Sequence, residues 1–203
     1  MTNSTATLRF AITWDCRCPY GRIAHDHIVT GLRAGANWKV TFLPFCLGQS
    51  HVEEGQSDIW DRPSEDSGIY ALQFAISVRD NQPEKFLDLH AALYNYRHDT
   101  HGDLTNTDKI SEVASEHGVD VEAVRRDLAT GRPLGIVKAE HSGYVNTHAV
   151  WGVPTFVMGD SAVFVRLLDR PRSDQDAITT VERVIANIGW DSLNEFKHTS
   201  VPR

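Results

Sequence analysis

The chain has 203 residues, 41% of them hydrophobic, with 27 acidic and 20 basic side chains and a formal net charge of -7. That length and apolar content suit one folded domain, or one domain carrying an insertion, and exclude a disordered chain. Residues 51–131 hold 17 acidic against 7 basic side chains, a surplus that reads as a solvated helical surface and argues against a nucleic-acid groove, which needs clustered cations facing phosphates.

No apolar run is long enough to span a bilayer, so no membrane partner is expected. Residues 1–7 have neither the basic start nor the apolar stretch of a secretory signal, and the expected compartment is the cytoplasm. The cysteines are Cys16, Cys18 and Cys46. So few, and an odd number, do not make a disulfide scaffold; in a reducing compartment such cysteines are catalytic, redox-sensing or metal-binding before they are structural.

In chain order, Leu8-Arg9-Phe10-Ala11-Ile12-Thr13-Trp14 is a β-prone run broken by Asp15-Cys16-Arg17-Cys18-Pro19. Tyr20, Ile23, Ala24, Ile28 and Leu32 then recur at helical spacing. Pro19 stands at the first helical position, where its missing N–H costs nothing. Residues 38–43 alternate and read as a second strand stopped by Pro44. A helix between two strands predicts their parallel pairing. Residues 50–64 are polar with Pro and Gly and predict a loop.

Five helices are predicted from about residue 65 to residue 149. Their stripes are Ile69, Leu72, Ile76; Phe86, Leu89, Leu93, Tyr96 after Pro83; Ile110, Val113, Ala114; and Val121, Val124, Leu128; the fifth covers residues 134–149. Thr155-Phe156-Val157-Met158 and Ala162-Val163-Phe164-Val165 form a hairpin around Gly159-Asp160. Ser173 and Asp176 make a capping box with Asp in place of Glu, ahead of a last helix carrying Ile178, Val181, Ile185 and Ile188. The order β-α-β, helical block, β-β-α is an α/β thioredoxin-type core with an all-helical insertion. Its parts are 1–50 and 150–190 as a discontinuous core, 51–149 as the insertion and 191–203 as a polar tail.

Cys18-Pro19 opens a helix directly after a strand. A helix N-terminus offers free N–H groups and partial positive charge, which lower the pKa of a thiol placed there. Arg17 and Arg22 are expected to add to this, giving a low-pKa Cys18 thiolate; the other reading is an inert, packed cysteine. Gly152-Val153-Pro154-Thr155-Phe156 precedes the late strand. Pro154 is either a plain strand boundary or the special case of a cis X-Pro bond. Cys16 and Cys18 form a Cys-x-Cys that could close a tight, labile disulfide. Cys46 reads as a small buried hydrophobe. His25 and His27 with the two cysteines lack the usual zinc spacing, and no metal is expected. Tyr94, Phe74, Phe86 and Tyr96 read as core, or as the lining of a cleft between insertion and core.

Together, Asp15-x-x-Cys18-Pro19-Tyr20, the long helical insertion and Gly152-Val153-Pro154-Thr155-Phe156-Val157 resemble the DsbA-like branch of the thioredoxin superfamily over roughly residues 8–189. The resemblance implies a thiol–disulfide oxidoreductase with Cys18 as attacking cysteine and Pro154 as the cis-proline beside it. Val153 would be the residue whose backbone pairs with substrate, and Pro19 and Tyr20 the dipeptide that tunes the thiol. With Thr155 these form the implied substrate-binding set, and Cys16 is the candidate second thiol.

The family's second cysteine falls at Gly21, so this site lacks the dithiol. A single thiol needs an outside thiol to release it. The implied partners are therefore a disulfide-containing or small-molecule substrate and a low-molecular-weight thiol, glutathione or mycothiol, with no tightly bound cofactor; a homodimer is also allowed. On the same reasoning Gly21→Cys should install a self-resolving dithiol. Cys18-Pro19-Tyr20-Gly21-Arg22-Ile23-Ala24 is also similar to the start of kappa-class glutathione transferases and hydroxychromene-carboxylate isomerases. That resemblance implies a glutathione-dependent transferase or isomerase as the alternative. A binding protein on a decayed redox scaffold is the non-enzymatic alternative.

Overall fold

The computed structural model describes residues 6–190, 192 and 193. The polar tail expected at 191–203 lies, apart from 192 and 193, outside the described residues, as do residues 1–5. Strand β1 (Leu8–Trp14) is buried on both faces from Phe10 onward. A strand apolar on both faces belongs inside a sheet, and β1 takes an inner place in the order β2-β1-β3-β4. Helix α1 (Pro19–Arg33) crosses from β1 to β2 (Trp38–Pro44), which lies parallel to β1 in a register running from Leu8↔Trp38 to Trp14↔Pro44. β3 (Thr155–Met158) returns antiparallel to β1, and β4 (Ser161–Phe164) closes the hairpin one residue earlier than the sequence predicts.

The insertion supplies α2 (Ile69–Asn81), α3 (Pro83–Asp99), α4 (Thr107–Glu116), α5 (Val121–Ala129) and α6 (Arg132–His148); α7 (Asp174–Ile188) follows the hairpin. Ser173 caps α7, its Oγ accepting from Asp176 N at 3.1 Å. The reciprocal contact is displaced by one residue, since the Asp176 carboxylate accepts from Arg172 N. One hydrophobic core joins sheet and insertion: Ile12, Trp14 and Phe156 pack with Leu72, Phe86 and Leu89, and with Val181 of α7. Residues 50–64 are not a plain loop. Short 3-10 turns at Gln49–His51, Ile59–Asp61 and Pro63–Glu65 fold the segment down and bury Ile59 and Trp60 in that core. No helix among the described residues is long and apolar enough to cross a membrane.

A second, smaller cluster sits where β1 gives way to α1. It gathers Ala11, Cys18, Leu43, Phe45, Val150, Val153 and Val157. The turn after β1 and the loop before β3 are thus brought together by apolar packing.

Candidate active site at the start of α1

Cys18 is the N-cap of α1, with extended backbone (φ -80°, ψ 116°), and Pro19 follows at the first helical position. The N-cap side chain normally satisfies one of the orphan N–H groups of the first turn. Here the sulfur does so, accepting from Gly21 N at 3.2 Å. On its other side the thiol donates to the Val153 carbonyl at 3.3 Å. The Val153–Pro154 peptide bond is cis.

The expected low-pKa thiolate is not found. Burial pushes the Cys18 thiol up from its ordinary value and the charge of Asp15 adds to this, against the lowering by the Gly21 and Tyr20 N–H groups and by Arg166. Cys18 is only 8% exposed, and desolvation of a thiolate outweighs a helix terminus at such a site. The two arginines that were expected to help are engaged elsewhere. Arg17 bonds Asp15 (2.7 Å) and Asp66 (2.8 Å). Arg22 bonds Asp99 (2.6 Å) and Asn95 (3.2 Å), tying α1 to α3.

The Asp15–Arg17–Asp66 group is structural. Asp15, fully buried, also accepts from the main-chain N–H groups of Arg17 and Leu47. Asp66 accepts from Gly68 N and Ile69 N at the start of α2. Arg17 therefore clamps the Cys18 turn to the insertion. Gly68 makes room for it, because a Cβ there would lie 2.3 Å from Arg17 Nε.

The structure does not pair the Cys-x-Cys. Cys16 and Cys18 are both free thiols, and their side chains belong to different apolar clusters. Cys16 is 1% exposed and its thiol is pushed well above the ordinary value, by burial first and then by Asp15. The chain between them is a tight turn, closed by Cys18 N donating to Asp15 O at 3.0 Å, and it sends the two side chains into different clusters. Cys46 is buried, its thiol pushed up to about 12 by burial.

Thr155 was expected to face substrate; it is 3% exposed and faces inward. Its hydroxyl donates to Gly152 O (2.8 Å) and its N–H donates to Thr13 Oγ1 (2.8 Å), while Thr13 Oγ1 donates to Gly152 O (3.0 Å). Thr13 and Thr155 thus lock the loop carrying Val153 and Pro154 to the end of β1. Thr13 carries no motif signal in the sequence; only the tertiary pairing reveals it. Pro19 is exposed, and Tyr20 is half-buried with the Arg166 guanidinium 4.7 Å above its ring. His148, six residues before Pro154, turns to the far end of β3, where its Nε2 donates to Gly159 O at 3.1 Å.

Gly21 stands where the resemblance places a second cysteine. An added Cβ would lie 2.8 Å from Val153 Cγ1, 3.1 Å from the Tyr94 hydroxyl and 3.2 Å from Cys18 Cβ. The space a second sulfur would need is filled by Val153 and Tyr94. Tyr94 is 1% exposed and its hydroxyl has no hydrogen-bond partner among the described residues; burial pushes its pKa well up. The stripe reading of α3 chose Tyr96, which is only half-buried. The buried arc of α3 is wider than a stripe because α1, α2 and α4 all pack on it, and it takes in His90 and Tyr94.

Beneath Tyr94, His25 Nε2 lies 3.0 Å from Thr13 O, and His90 Nε2 lies 2.9 Å from His25 Nδ1. A carbonyl can only accept, so His25 carries its proton on Nε2 and accepts at Nδ1 from His90. Burial holds both rings neutral, lowering His25 to about 4 and His90 well below its ordinary value. No group of three or more His, Cys, Asp or Glu among the described residues is placed to hold a metal ion.

A thiol at the start of the helix after β1, set against the loop before an antiparallel β3, with helices inserted between the two halves, is the layout of a thioredoxin-like fold with a helical insertion. No family model and no curated protein matches the chain. Solved structures do. The thiol–disulfide oxidoreductase MdbA of Corynebacterium diphtheriae matches with a TM-score of 0.61 at 14% identity, over 90% of this chain and 85% of that one. The thiol–disulfide exchange protein alpha-DsbA2 of Wolbachia pipientis matches at 0.60 and 15% identity, over 92% and 84%. The cytosolic disulfide reductase DsbM of Pseudomonas aeruginosa matches at 0.60 and 14% identity, over 89% and 100%. The chain therefore has the DsbA-like thioredoxin fold with its helical insertion, matched over 89% to 92% of its length in these three structures.

Proposed function

We propose that the protein is a thiol–disulfide oxidoreductase of monothiol type, with Cys18 as nucleophile opposite Pro154, working in a reducing cytoplasm. The observation that carries this reading is the Cys18 sulfur at the head of α1, 3.3 Å from the Val153 carbonyl. Cys18 attacks one sulfur of a disulfide R–S–S–R′. The bond from Cys18 to the R sulfur forms as the S–S bond breaks, and the Cys18 proton leaves with R′ as R′SH. A low-molecular-weight thiol, glutathione or mycothiol, then attacks the R sulfur and returns Cys18 as a thiol. Release falls to an outside thiol because Gly21 has no sulfur and Cys16 packs into the main core. The Gly21 N–H steadies the attacking sulfur, and the Thr13–Thr155 lock fixes the edge along which substrate lies. A nucleophile with a raised pKa acts through a small thiolate fraction whose intrinsic reactivity is correspondingly higher.

One observation favours a second reading. A buried, protonated Cys18 is a hydrogen-bond donor, and such a donor could serve a bound glutathione in a transferase or isomerase without forming a covalent bond. Turnover of hydroxyethyl disulfide with added glutathione, compared between wild type and Cys18→Ser, separates the two. Loss of turnover in Cys18→Ser supports the oxidoreductase. Turnover of a thiol-dependent isomerisation that survives in Cys18→Ser, because a hydroxyl donates as well as a thiol, supports the alternative.

A further inference from the structure

The surface around Cys18 carries an aromatic rim with a single guanidinium set into it. Val165 N donates to Pro154 O at 3.0 Å, so the chain leaving β4 runs alongside the Pro154 loop. The residues flanking Val165 reach outward on this rim. Phe164 packs at a tilt against Trp151 with a ring separation of 4.4 Å, and Trp151 is 67% exposed although it lies just two residues before Val153. Arg166 is exposed and rests over the ring of Tyr20, the second residue after Cys18.

The other arginines of this region are neutralised. Arg17 is held by two buried carboxylates and Arg22 by Asp99 and Asp26. Arg166 forms no ion pair among the described residues, and its charge is felt at the Cys18 sulfur. The contact with the Tyr20 ring holds the guanidinium beside the Cys18 turn, and its N–H groups make no hydrogen bond or ion pair among the described residues. That is the arrangement in which arginine binds a carboxylate with two parallel hydrogen bonds.

Resting on the oxidoreductase reading, we propose that Arg166 is the anion-recognition residue of the Cys18 site and selects low-molecular-weight disulfides that carry a carboxylate. A carboxylate on Arg166 would place the attached disulfide over Tyr20 and beside Cys18, with Trp151 and Phe164 as an apolar wall. The step is Cys18–SH + R–S–S–R → Cys18–S–S–R + RSH, in which the carboxylate stays on Arg166 and takes no part in the electron transfer. Of the two small thiols named above, glutathione carries carboxylates and mycothiol does not, so this site favours a glutathionyl group.

The test uses the full chain, with the rate of mixed-disulfide formation at Cys18 followed by intact mass and located by peptide mapping. The probes are glutathione disulfide (anionic), hydroxyethyl disulfide (neutral) and cystamine (cationic). The readout is the ratio of each charged probe to the neutral one, which cancels any general change in Cys18 reactivity. In Arg166→Glu the anionic ratio should fall about fivefold or more and the cationic ratio should rise, with Arg166→Lys between Arg166→Glu and wild type. Raising ionic strength should shrink the wild-type preference. Equal ratios in wild type and Arg166→Glu, with Cys18 still modified by the neutral probe, overturn the assignment of Arg166 and leave the oxidoreductase reading intact. Failure of all three probes to modify Cys18 overturns that reading, and the role of Arg166 with it.

Discussion

At the scale of single residues, the decisive balance is the one at the Cys18 sulfur. A helix terminus and the N–H groups of Tyr20 and Gly21 favour the thiolate, whereas burial and Asp15 disfavour it, and the latter prevail. The rate of Cys18 alkylation by iodoacetamide should therefore keep rising with pH through about 8.5, the value of an ordinary cysteine, and reach its midpoint above it. A midpoint near neutral pH would mean that the helix terminus dominates after all. The sequence could place Cys18 at the head of a helix, because strand, break, Pro19 and helical periodicity are all local. It could not weigh the desolvation, since that depends on Val153 and Leu43 closing over the sulfur from distant parts of the chain.

At the scale of elements, α1 and the loop before β3 meet without room for a second sulfur. Gly21 is close-packed because Val153 and Tyr94 both approach it, and a β-branched valine held by the Pro154 loop yields little. The structure therefore reverses the expectation for Gly21→Cys. The variant should lose about 1–3 kcal/mol of stability by overpacking, read as a lower urea midpoint, and mild oxidation should form no disulfide between Cys18 and the introduced thiol. A stable variant that oxidises to an intramolecular disulfide would show that the loop can give way. Elements themselves were largely legible: all four strands and all seven helices of the described residues stand where periodicity and Pro/Gly punctuation put them. Residues 50–64 escaped because 3-10 turns have no periodic signal, yet they bury Trp60. The clamp from Arg17 to Asp66 escaped because its partners are 49 positions apart.

For the whole molecule, the insertion is built over a neutral histidine pair. His25 and His90 are shared between α1 and α3, and His141 of α6 packs on Phe45 and Trp60. Burial lowers His25 and His141 to about 4. Between about 6.5 and 4 the unfolded chain binds protons that the folded chain excludes, so unfolding takes up protons and stability falls as pH drops. The loss is up to about 3 kcal/mol for a fully buried histidine shifted this far. The urea midpoint should decline steadily from about pH 6.5 to about pH 5, before most carboxylates titrate. A midpoint that stays level over that range would mean that the histidines accept protons in the folded protein. The sequence showed ten histidines with no pattern; their pairing across helices is a property of the packed molecule, as is the meeting of Arg166 with Tyr20 from opposite ends of the chain.

The account stands on Cys18 as the reacting sulfur, and exposure of the native protein to glutathione disulfide tests this most directly. Intact mass should show a single glutathionyl adduct, mapped to Cys18, removed by added glutathione and absent from Cys18→Ser. An adduct that persists in Cys18→Ser, or one that maps to Cys16 or Cys46 in the wild type, would contradict it.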